Sequence, residues 1–360
     1  MSTLEIIAEQ IPLSPRLSFV ERLALVRERW PEFYDCIDLA RVTETSCNLI
    51  VAMATSAFDF NSIAGGGRGE SYRLAQINPM IRSTGISQLF NFIKPSNGTK
   101  KEFTPQHKVL DVLGGDGVLA RAINQMLPSA RRPHIITSDL DEDMVRAAQA
   151  YGLFAIQQPA QKLLLKDNST HGVIIAYGSH HIPSDQRLEA CREAFRVLKP
   201  GGRIAFHDFE AGSPVSRWFG EVVDRYSQTG HQFAHFTRDE IRQYLQEAGF
   251  DDVRVDQVYD PFILSDKTAT TAQTLLKKHL LEMYGLVQLT RYNGQARALE
   301  IVFELAHQYF RYDYRSMGLE DSFGAPHITT HQKNGYWFVE SPRVALVGHG
   351  VKPKSASFIS

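Results

Sequence analysis

One stretch, from His107 to Met126, constrains the fold of this chain more than any other. It begins with the apolar run Val109–Leu113, which is typical of a buried strand, and three glycines within the next four residues predict a tight turn. Apolar residues then recur with the period of one helix face, at Leu119, Ala122, Ile123 and Met126. A strand, a glycine turn and a helix in this order bring backbone close to a ligand and direct a helix N-terminus at it.

The predicted strand also carries a carboxylate, Asp111, directly before the glycines Gly114, Gly115 and Gly117. A negative charge inside a strand needs a cation or a hydroxyl or amine donor close by. Taken alone, this combination fits any nucleotide-binding α/β protein.

The segments that follow continue the alternation of strands and helices. A second strand, Ile135–Thr137, leads to Asp139, and an acid at this strand tip can hold a ribose, cap the next helix, or do both. A third buried run, Gly172–Tyr177, precedes Gly178–Pro183. The segment Phe195–Asp208 then predicts a helix end, a Pro-Gly-Gly turn and another strand. Such spacing predicts a parallel sheet with helices on both faces and a ligand site at the carboxyl ends of the strands.

These segments resemble class I S-adenosylmethionine-dependent methyltransferases that act on small molecules. Asp111-x-Leu113-x-Gly115-x-Gly117 is similar to their motif I, with Leu113 in place of the first glycine, and His180–Pro183 and Arg196–Gly202 are similar to their HHIP and RVLKPGG segments. The resemblance implies an α/β fold, a doubly wound Rossmann-like sheet of seven strands. It implies S-adenosylmethionine as the cofactor, with these binding residues: Asp111, Leu113, Gly114, Gly115, Gly117, Asp139, Leu140, Gln161, Tyr177 and Gly178.

The adenine contact departs from the family pattern. Relatives often carry an acid after the third strand, whereas this chain has Gln157–Gln161 there. Gln158 or Gln161 could accept the adenine amino group through a side-chain carbonyl.

The resemblance places the acceptor next to the segment Tyr177–His181. His180 and His181 are therefore the candidates for a catalytic base or an acceptor-orienting group, because imidazole titrates near neutrality. Adjacent side chains point in different directions, so we expect at most one of the two to face the acceptor. Further candidates for the substrate pocket follow the fifth strand and precede a later helix: His207, Asp208, Glu210 and His235.

Two His-x-x-x-His pairs, His231/His235 and His327/His331, have a spacing that can bind a metal on one helix face. No cysteine or third ligand stands near either pair in the sequence. We therefore expect no metal site.

The length and composition limit the function classes. The chain has 360 residues, with 39 basic and 40 acidic side chains and a net charge of −1, which argues against a nucleic-acid partner. No apolar run approaches the ~18 residues of a membrane span, and Met1–Glu5 does not resemble a signal peptide. Three cysteines, Cys36, Cys47 and Cys191, suggest free thiols in a cytoplasmic protein.

Four regions are predicted: a helical N-terminal lid or substrate region (1–105), the cofactor-binding core (106–260), a helical insert (261–341), and a final antiparallel strand with the tail (342–360). Within the first region, 72–93 is predicted to be helical. The triglycine stretch 62–70 is either a hinge or lid loop or a plain surface loop. The aromatic-rich insert is either a cap over the acceptor or a dimerisation element, so a homodimer is possible.

The expected activity is methyl transfer to a small, apolar or aromatic organic acceptor, as in secondary metabolism. The alternative is a cyclase or isomerase that uses the bound sulfonium without transferring its methyl group. A regulatory cofactor-binding protein is the third class, and it would leave the insert and the histidine pair without a purpose.

Overall fold

The central feature is a seven-stranded sheet, seen in a computed structural model that describes residues 19–56, 68–95, 102–319 and 323–354. Its strands are β1 Lys108–Asp111, β2 His134–Asp139, β3 Ala155–Gln157, β4 Thr170–Ile175, β5 Leu198–Asp208, β6 Asp251–Tyr259 and β10 Val344–Val351. The order is β3-β2-β1-β4-β5-β10-β6. β10 runs antiparallel to both neighbours, whereas the other adjacent pairs are parallel. The predicted α/β sheet and its final antiparallel strand are confirmed.

Helices cover both faces of this sheet and bury two apolar clusters. The helices are α1 Phe19–Arg29, α2 Pro31–Tyr34, α3 Glu44–Ser56, α4 Gly69–Ala75, α5 Ser83–Phe92, α6 Val118–Met126, α7 Glu142–Ala150, α8 Arg187–Val197, α9 Pro214–Trp218, α10 Asp224–Tyr226, α11 Arg238–Glu247, α12 Ala269–Met283, α13 Val287–Asn293 and α14 Gln295–Tyr309. One cluster joins α5, α6 and α12, and the other joins α3, α8 and α11. Burial of these helix stripes stabilises the layered fold, because removing apolar surface from water is the main driving force.

The N-terminal region departs from one prediction. Residues 72–93 do not form one helix: α4 and α5 are separated by a short 3₁₀ turn, Pro79–Arg82. Proline disfavours helical backbone in the residue before it, and Asn78 is accordingly extended and accepts a hydrogen bond from the Met80 amide. Most of the triglycine stretch lies outside the described residues, so the predicted lid loop is not placed.

The insert is not purely helical, which corrects the prediction. Besides α12, α13 and α14 it contains the strands β7 Phe262–Asp266, β8 Thr329–Lys333 and β9 Tyr336–Ser341, in an antiparallel sheet of order β7-β9-β8. Helix α12 packs against α4 and against β7. The insert therefore joins the N-terminal region on one side of the core. Within the described ranges, no helix has both the length and the apolar character needed to cross a membrane.

Candidate active site

The glycine turn connects β1 to α6 at the carboxyl end of the sheet. Gly115 and Gly117 have φ of +54° and +80°, the left-handed region that favours glycine, and Gly117 is the residue before α6. At Gly114 an added Cβ would lie 2.7 Å from Thr137 Cγ2 and 2.9 Å from Asp111 Oδ2. The missing side chains therefore let the turn lie directly on the ends of β1 and β2.

Asp139, at the end of β2, holds this turn in place. Its Oδ2 accepts a hydrogen bond from the Gly115 amide and its Oδ1 accepts one from the Asp141 amide, each at 2.9 Å. Asp139 does not cap the next helix: Asp141 is the N-cap of α7 and accepts from the Met144 amide at 2.9 Å. The carboxylate thus lies at the cavity wall beside the glycine turn, as expected for a group that binds ribose.

Asp111 lies beneath the turn and is buried. Its Oδ2 has no hydrogen-bond partner, and burial, together with the charge of Asp139, raises the pKa of Asp111 to about 8. A bound group that brings a positive charge or a donor would satisfy this carboxylate.

A cavity of about 780 Å³ opens above the turn. Eight predicted site residues line it: Leu113, Gly115, Asp139, Leu140, Gln161, Tyr177, Gly178 and His181. Asp111, Gly114 and Gly117 form the layer beneath it. Much of the remaining wall comes from residues that sequence reasoning missed, among them Met53, Tyr72, Met144, Gln186 and Phe233. Met53, Tyr72 and Phe233 come from elements distant in sequence, so no local motif could have revealed them, whereas Met144 and Gln186 closely follow Asp139 and the segment His180–Pro183.

The two glutamines proposed for adenine have different positions. Gln158 is buried, and its Oε1 accepts the Leu164 amide at 2.7 Å, so it is committed to a structural role. Gln161 lines the cavity and donates to the side chain of Gln186. Next to Gln161, Pro159 and Ala160 add an apolar wall.

Tyr177 marks the inner end of the cavity. Its φ is +61°, which directs the chain sharply after β4, and its ring packs 4.6 Å from the ring of His207 and 4.6 Å from the Arg82 guanidinium carbon. The hydroxyl group donates to Asp260 at 3.3 Å. Burial, with the neighbouring Asp260 charge, raises the pKa of Tyr177 well above its ordinary value.

A buried histidine cluster lies beyond Tyr177. Asp208 accepts hydrogen bonds from Nδ1 of His180 at 2.9 Å and from Nδ1 of His235 at 3.2 Å, and further ones from Ser179 and two backbone amides. Burial alone would raise the pKa of Asp208, but contact with His180 and His235 keeps it well below its ordinary value. His181 faces the cavity, whereas His180 is buried behind it.

The other substrate-pocket candidates do not line the large cavity. His207 is buried with its Nε2 3.6 Å from Asp260, and Glu210 pairs with Arg238 at 3.0 Å toward the surface. Asp208 and His235 belong to the histidine cluster. The prediction that Glu210 lines the pocket is wrong in this structure, because its ion pair turns the carboxylate toward α11.

The sequence argument against a third metal ligand is also wrong. His180, His181 and Asp208 come from elsewhere in the chain and meet the pair His231/His235 in space. The described residues contain two candidate ligand groups, His180/His181/His231 and His180/Asp208/His235, and neither includes His327 or His331.

Residues 109–202 match the family model of the methyltransferase domain. The match spans the glycine turn, Asp139 and the Pro-Gly-Gly segment of this seven-stranded sheet. Fold and match together confirm the predicted likeness to class I S-adenosylmethionine-dependent methyltransferases, with residues 109–202 as the methyltransferase domain.

Several curated relatives carry one description. The chain is 29% identical over 222 residues to the ubiquinone/menaquinone biosynthesis C-methyltransferase of Pasteurella multocida, which covers 54% of this chain and 76% of that protein. It is 35% identical over 129 residues to the protein of the same name from Bartonella tribocorum, covering 33% and 47%. Apart from the first, the chain spans about half the length of these curated relatives.

Solved structures are similar at lower identity. They include phosphoethanolamine N-methyltransferase 2 of Haemonchus contortus with S-adenosyl-L-methionine, at 14% identity and a TM-score of 0.45, covering 79% of this chain and 56% of that one. A methyltransferase of Archaeoglobus fulgidus is 12% identical with a TM-score of 0.41, covering 74% and 95%.

Proposed function

We propose that this enzyme methylates a small organic acceptor with an apolar or aromatic body, at carbon. The observation that carries this proposal is the cavity that runs from Asp139 and the glycine turn to Tyr177 and His181. Its size suits a cofactor with a small molecule beside it rather than a macromolecule. The description of the curated relatives as C-methyltransferases supports carbon as the acceptor atom.

The residues present fit S-adenosylmethionine. Asp139 would bind the ribose hydroxyls, and Leu140 and Pro159 would enclose the adenine beside Gln161. The positive charge of the cofactor would lower the pKa of Asp111 in the layer beneath the turn. The bound cofactor supplies an electrophilic methyl group, and the acceptor carbon forms the new bond as the C–S electron pair returns to sulfur. The chain's own contribution is positioning, which can supply several kcal/mol without a covalent intermediate.

Of the two predicted catalytic histidines, His181 is the one we place against the acceptor. It lines the cavity, and burial lowers its pKa well below the ordinary value, so its imidazole is neutral. His180 supports it from behind, with ring centroids 4.4 Å apart.

An acidic group on the acceptor would explain Arg82. This guanidinium is buried, and its Nε and Nη1 have no hydrogen-bond partner. It lines a small inner cavity of about 30 Å³ together with Arg343, and Tyr177 and His181 line both this cavity and the large one. A buried charge without enough hydrogen bonds is costly, and a carboxylate supplies what Arg82 lacks.

The role of the insert, the cellular location and the metabolic role are the remaining parts of the proposal. Met283 and Tyr284, at the end of α12, line the inner cavity, which supports a cap over the acceptor rather than a dimerisation element. The buried thiols of Cys36 and Cys191 support a cytoplasmic setting, and a role in secondary metabolism accords with a cavity of small-molecule size.

The test is turnover with S-adenosylmethionine carrying a ¹³C-labelled methyl group and a panel of phenols, quinols and enolisable acids. We expect S-adenosylhomocysteine and one acceptor with the label bonded to carbon. Label on proteins or nucleic acids only would overturn the acceptor class. A changed acceptor without label would instead favour the cyclase or isomerase alternative.

A further inference from the structure

We propose that His180, His181 and His231 bind a divalent transition-metal ion, zinc or ferrous iron, at the inner edge of the cofactor cavity. The three rings come from the turn after β4 and the segment before α11, and one ligand nitrogen of each lies within 4.8 Å of the others. A tetrahedral ion would bring two such nitrogens to about 3.3 Å, from metal–nitrogen distances of about 2.0–2.1 Å. Metal binding therefore requires the three rings to move closer together than they lie in this structure.

Asp208 fixes which nitrogens are available. An ionised carboxylate only accepts hydrogen bonds, so the Nδ1 atoms of His180 and His235 must carry the protons. The Nε2 atom of a neutral imidazole is then a bare lone pair, and Nε2 of His180 has no hydrogen-bond partner. A carboxylate that holds a histidine through its other nitrogen is the common second layer of a metal site.

His231 offers a ligand atom in the same way. It is buried, neither of its ring nitrogens has a hydrogen-bond partner, and its ring stacks 4.3 Å from the ring of Phe219. Leaving such a buried polar atom unsatisfied costs about 1–3 kcal/mol. His180 and His231 both carry such atoms, and one shared ion would bind to both histidines.

The hydrogen-bond donors around Asp208 leave its negative charge available to balance a bound cation, although the Arg68 guanidinium also acts on His180, His181 and His231. The donors that contact Asp208 are a hydroxyl group, backbone amides and two histidines, and none of them carries a fixed positive charge. A buried carboxylate of this kind is stabilised by a cation close to it. Three neutral imidazoles suit zinc or ferrous iron, which take nitrogen ligands readily.

The position of the ion suggests a role in the proposed reaction. Only this role depends on the proposed function; the metal site itself does not. His181 is half-buried and lines the cavity, so the ion would keep an open position toward the acceptor. Such an ion would lower the pKa of an acceptor oxygen beside it, so that the oxygen could release its proton to solvent and the neighbouring carbon would become more nucleophilic. The preferred acceptor is therefore one with an oxygen next to the methylated carbon.

The experiment measures metal content and Co²⁺ binding on the full chain, so it does not depend on activity. We expect about one zinc or iron per chain after purification. After treatment with a chelator, Co²⁺ should bind with the visible spectrum of a nitrogen-ligated ion, and His231→Gln should weaken binding at least ten-fold. His279→Gln, at a buried histidine outside the cluster, is the matched control and should bind like the wild type.

A wild-type chain with the correct fold and no Co²⁺ affinity would overturn the proposal, since water in the inner cavity would then satisfy the histidines. Loss of binding in His235→Gln with full binding in His231→Gln would overturn the ligand set. The melting temperature of each variant, set against His279→Gln, separates loss of a ligand from loss of the fold. Cofactor binding that survives chelation would leave the methyl-transfer proposal standing whatever the metal result.

Discussion

Asp260 and Arg343 form a buried ion pair, with Arg343 Nη2 2.6 Å from Asp260 Oδ2, where the insert leaves and rejoins the core. The backbone takes part as well: the Asp260 amide donates to the Arg343 carbonyl, and Arg343 Nε donates to the Asp260 carbonyl. These bonds join the end of β6 to the start of β10 as a tight turn would. The insert can therefore be long without displacing the last strand of the sheet.

We expect Arg343→Met to lower the free energy of unfolding by about 3–5 kcal/mol, because it removes the guanidinium that pairs with the buried Asp260 carboxylate and leaves it only weaker neutral partners. Urea unfolding measures this change. Arg238→Met is the control, since its pair with Glu210 is partly exposed and should matter by less than about 1 kcal/mol. Equal effects of the two variants would contradict the role given to the buried pair.

The carboxylate of the same ion pair leaves no room for a side chain at Gly85 in α5. A Cβ at this position would lie 1.8 Å from Asp260 Oδ1, so Gly85→Ala should lower the melting temperature although alanine favours helices. Gly220 has no atom within 4 Å of an added Cβ. Gly220→Ala should therefore leave the melting temperature unchanged or raise it, and thermal unfolding of the two variants side by side decides the point.

Asp139→Asn should weaken S-adenosylmethionine binding by about 10- to 100-fold, the value of one or two hydrogen bonds to a charged acceptor. Asparagine keeps the shape of the side chain, but its amide nitrogen cannot accept the Gly115 or the Asp141 amide, so the melting temperature is measured beside the affinity to detect a displaced turn. Calorimetry on the purified chain measures the affinity. The control is Asp143→Asn, on the neighbouring helix α7 and outside the cavity wall, which should bind S-adenosylmethionine as the wild type does. An unchanged affinity in Asp139→Asn would show that Asp139 does not bind the ribose.

Asp111 should make the protein less stable as pH rises. Its folded-state pKa of about 8 exceeds the ordinary value of 3.8, so between these values the folded state holds a proton that the unfolded state releases. Stability is lost over this window by up to about 1.4 kcal/mol per pH unit. Asp111→Asn should remove this term, and its melting temperature should exceed that of the wild type by more at pH 8 than at pH 5. A constant difference would refute the buried-carboxylate argument.

Arg82→Gln should raise KM for an acidic acceptor by at least ten-fold and leave the affinity for S-adenosylmethionine nearly unchanged. The reason is that Arg82 faces the inner cavity and not the glycine turn. Steady-state kinetics with the acceptor and its methyl ester measure the effect. If the ester and the acid respond alike, the charge of the acceptor is irrelevant to Arg82.

The sequence allowed the core of the fold to be predicted because its signals are local. The apolar run before the glycines, the helix stripe after them and the acid at the end of β2 each depend on residues close together in the chain. Helix capping is local too, although Asp141 rather than Asp139 forms the cap. Strand β7 was missed because it pairs with β9 over more than 60 residues, for which the sequence contains no periodic signal. The hairpin β8–β9 is local, and its two-residue turn Asn334-Gly335 is a signal that the sequence analysis overlooked.

The sequence by itself determined the class of protein: a β1 strand, a glycine turn and Asp139 in a fixed order leave the backbone few other arrangements. Only the tertiary structure decided what surrounds the acceptor. It brings His231 beside His180, places Arg82 at the inner cavity and turns Glu210 away. These contacts depend on how the layers of the fold pack around their common core. They join residues from distant parts of the chain, so no single segment of the sequence predicts them.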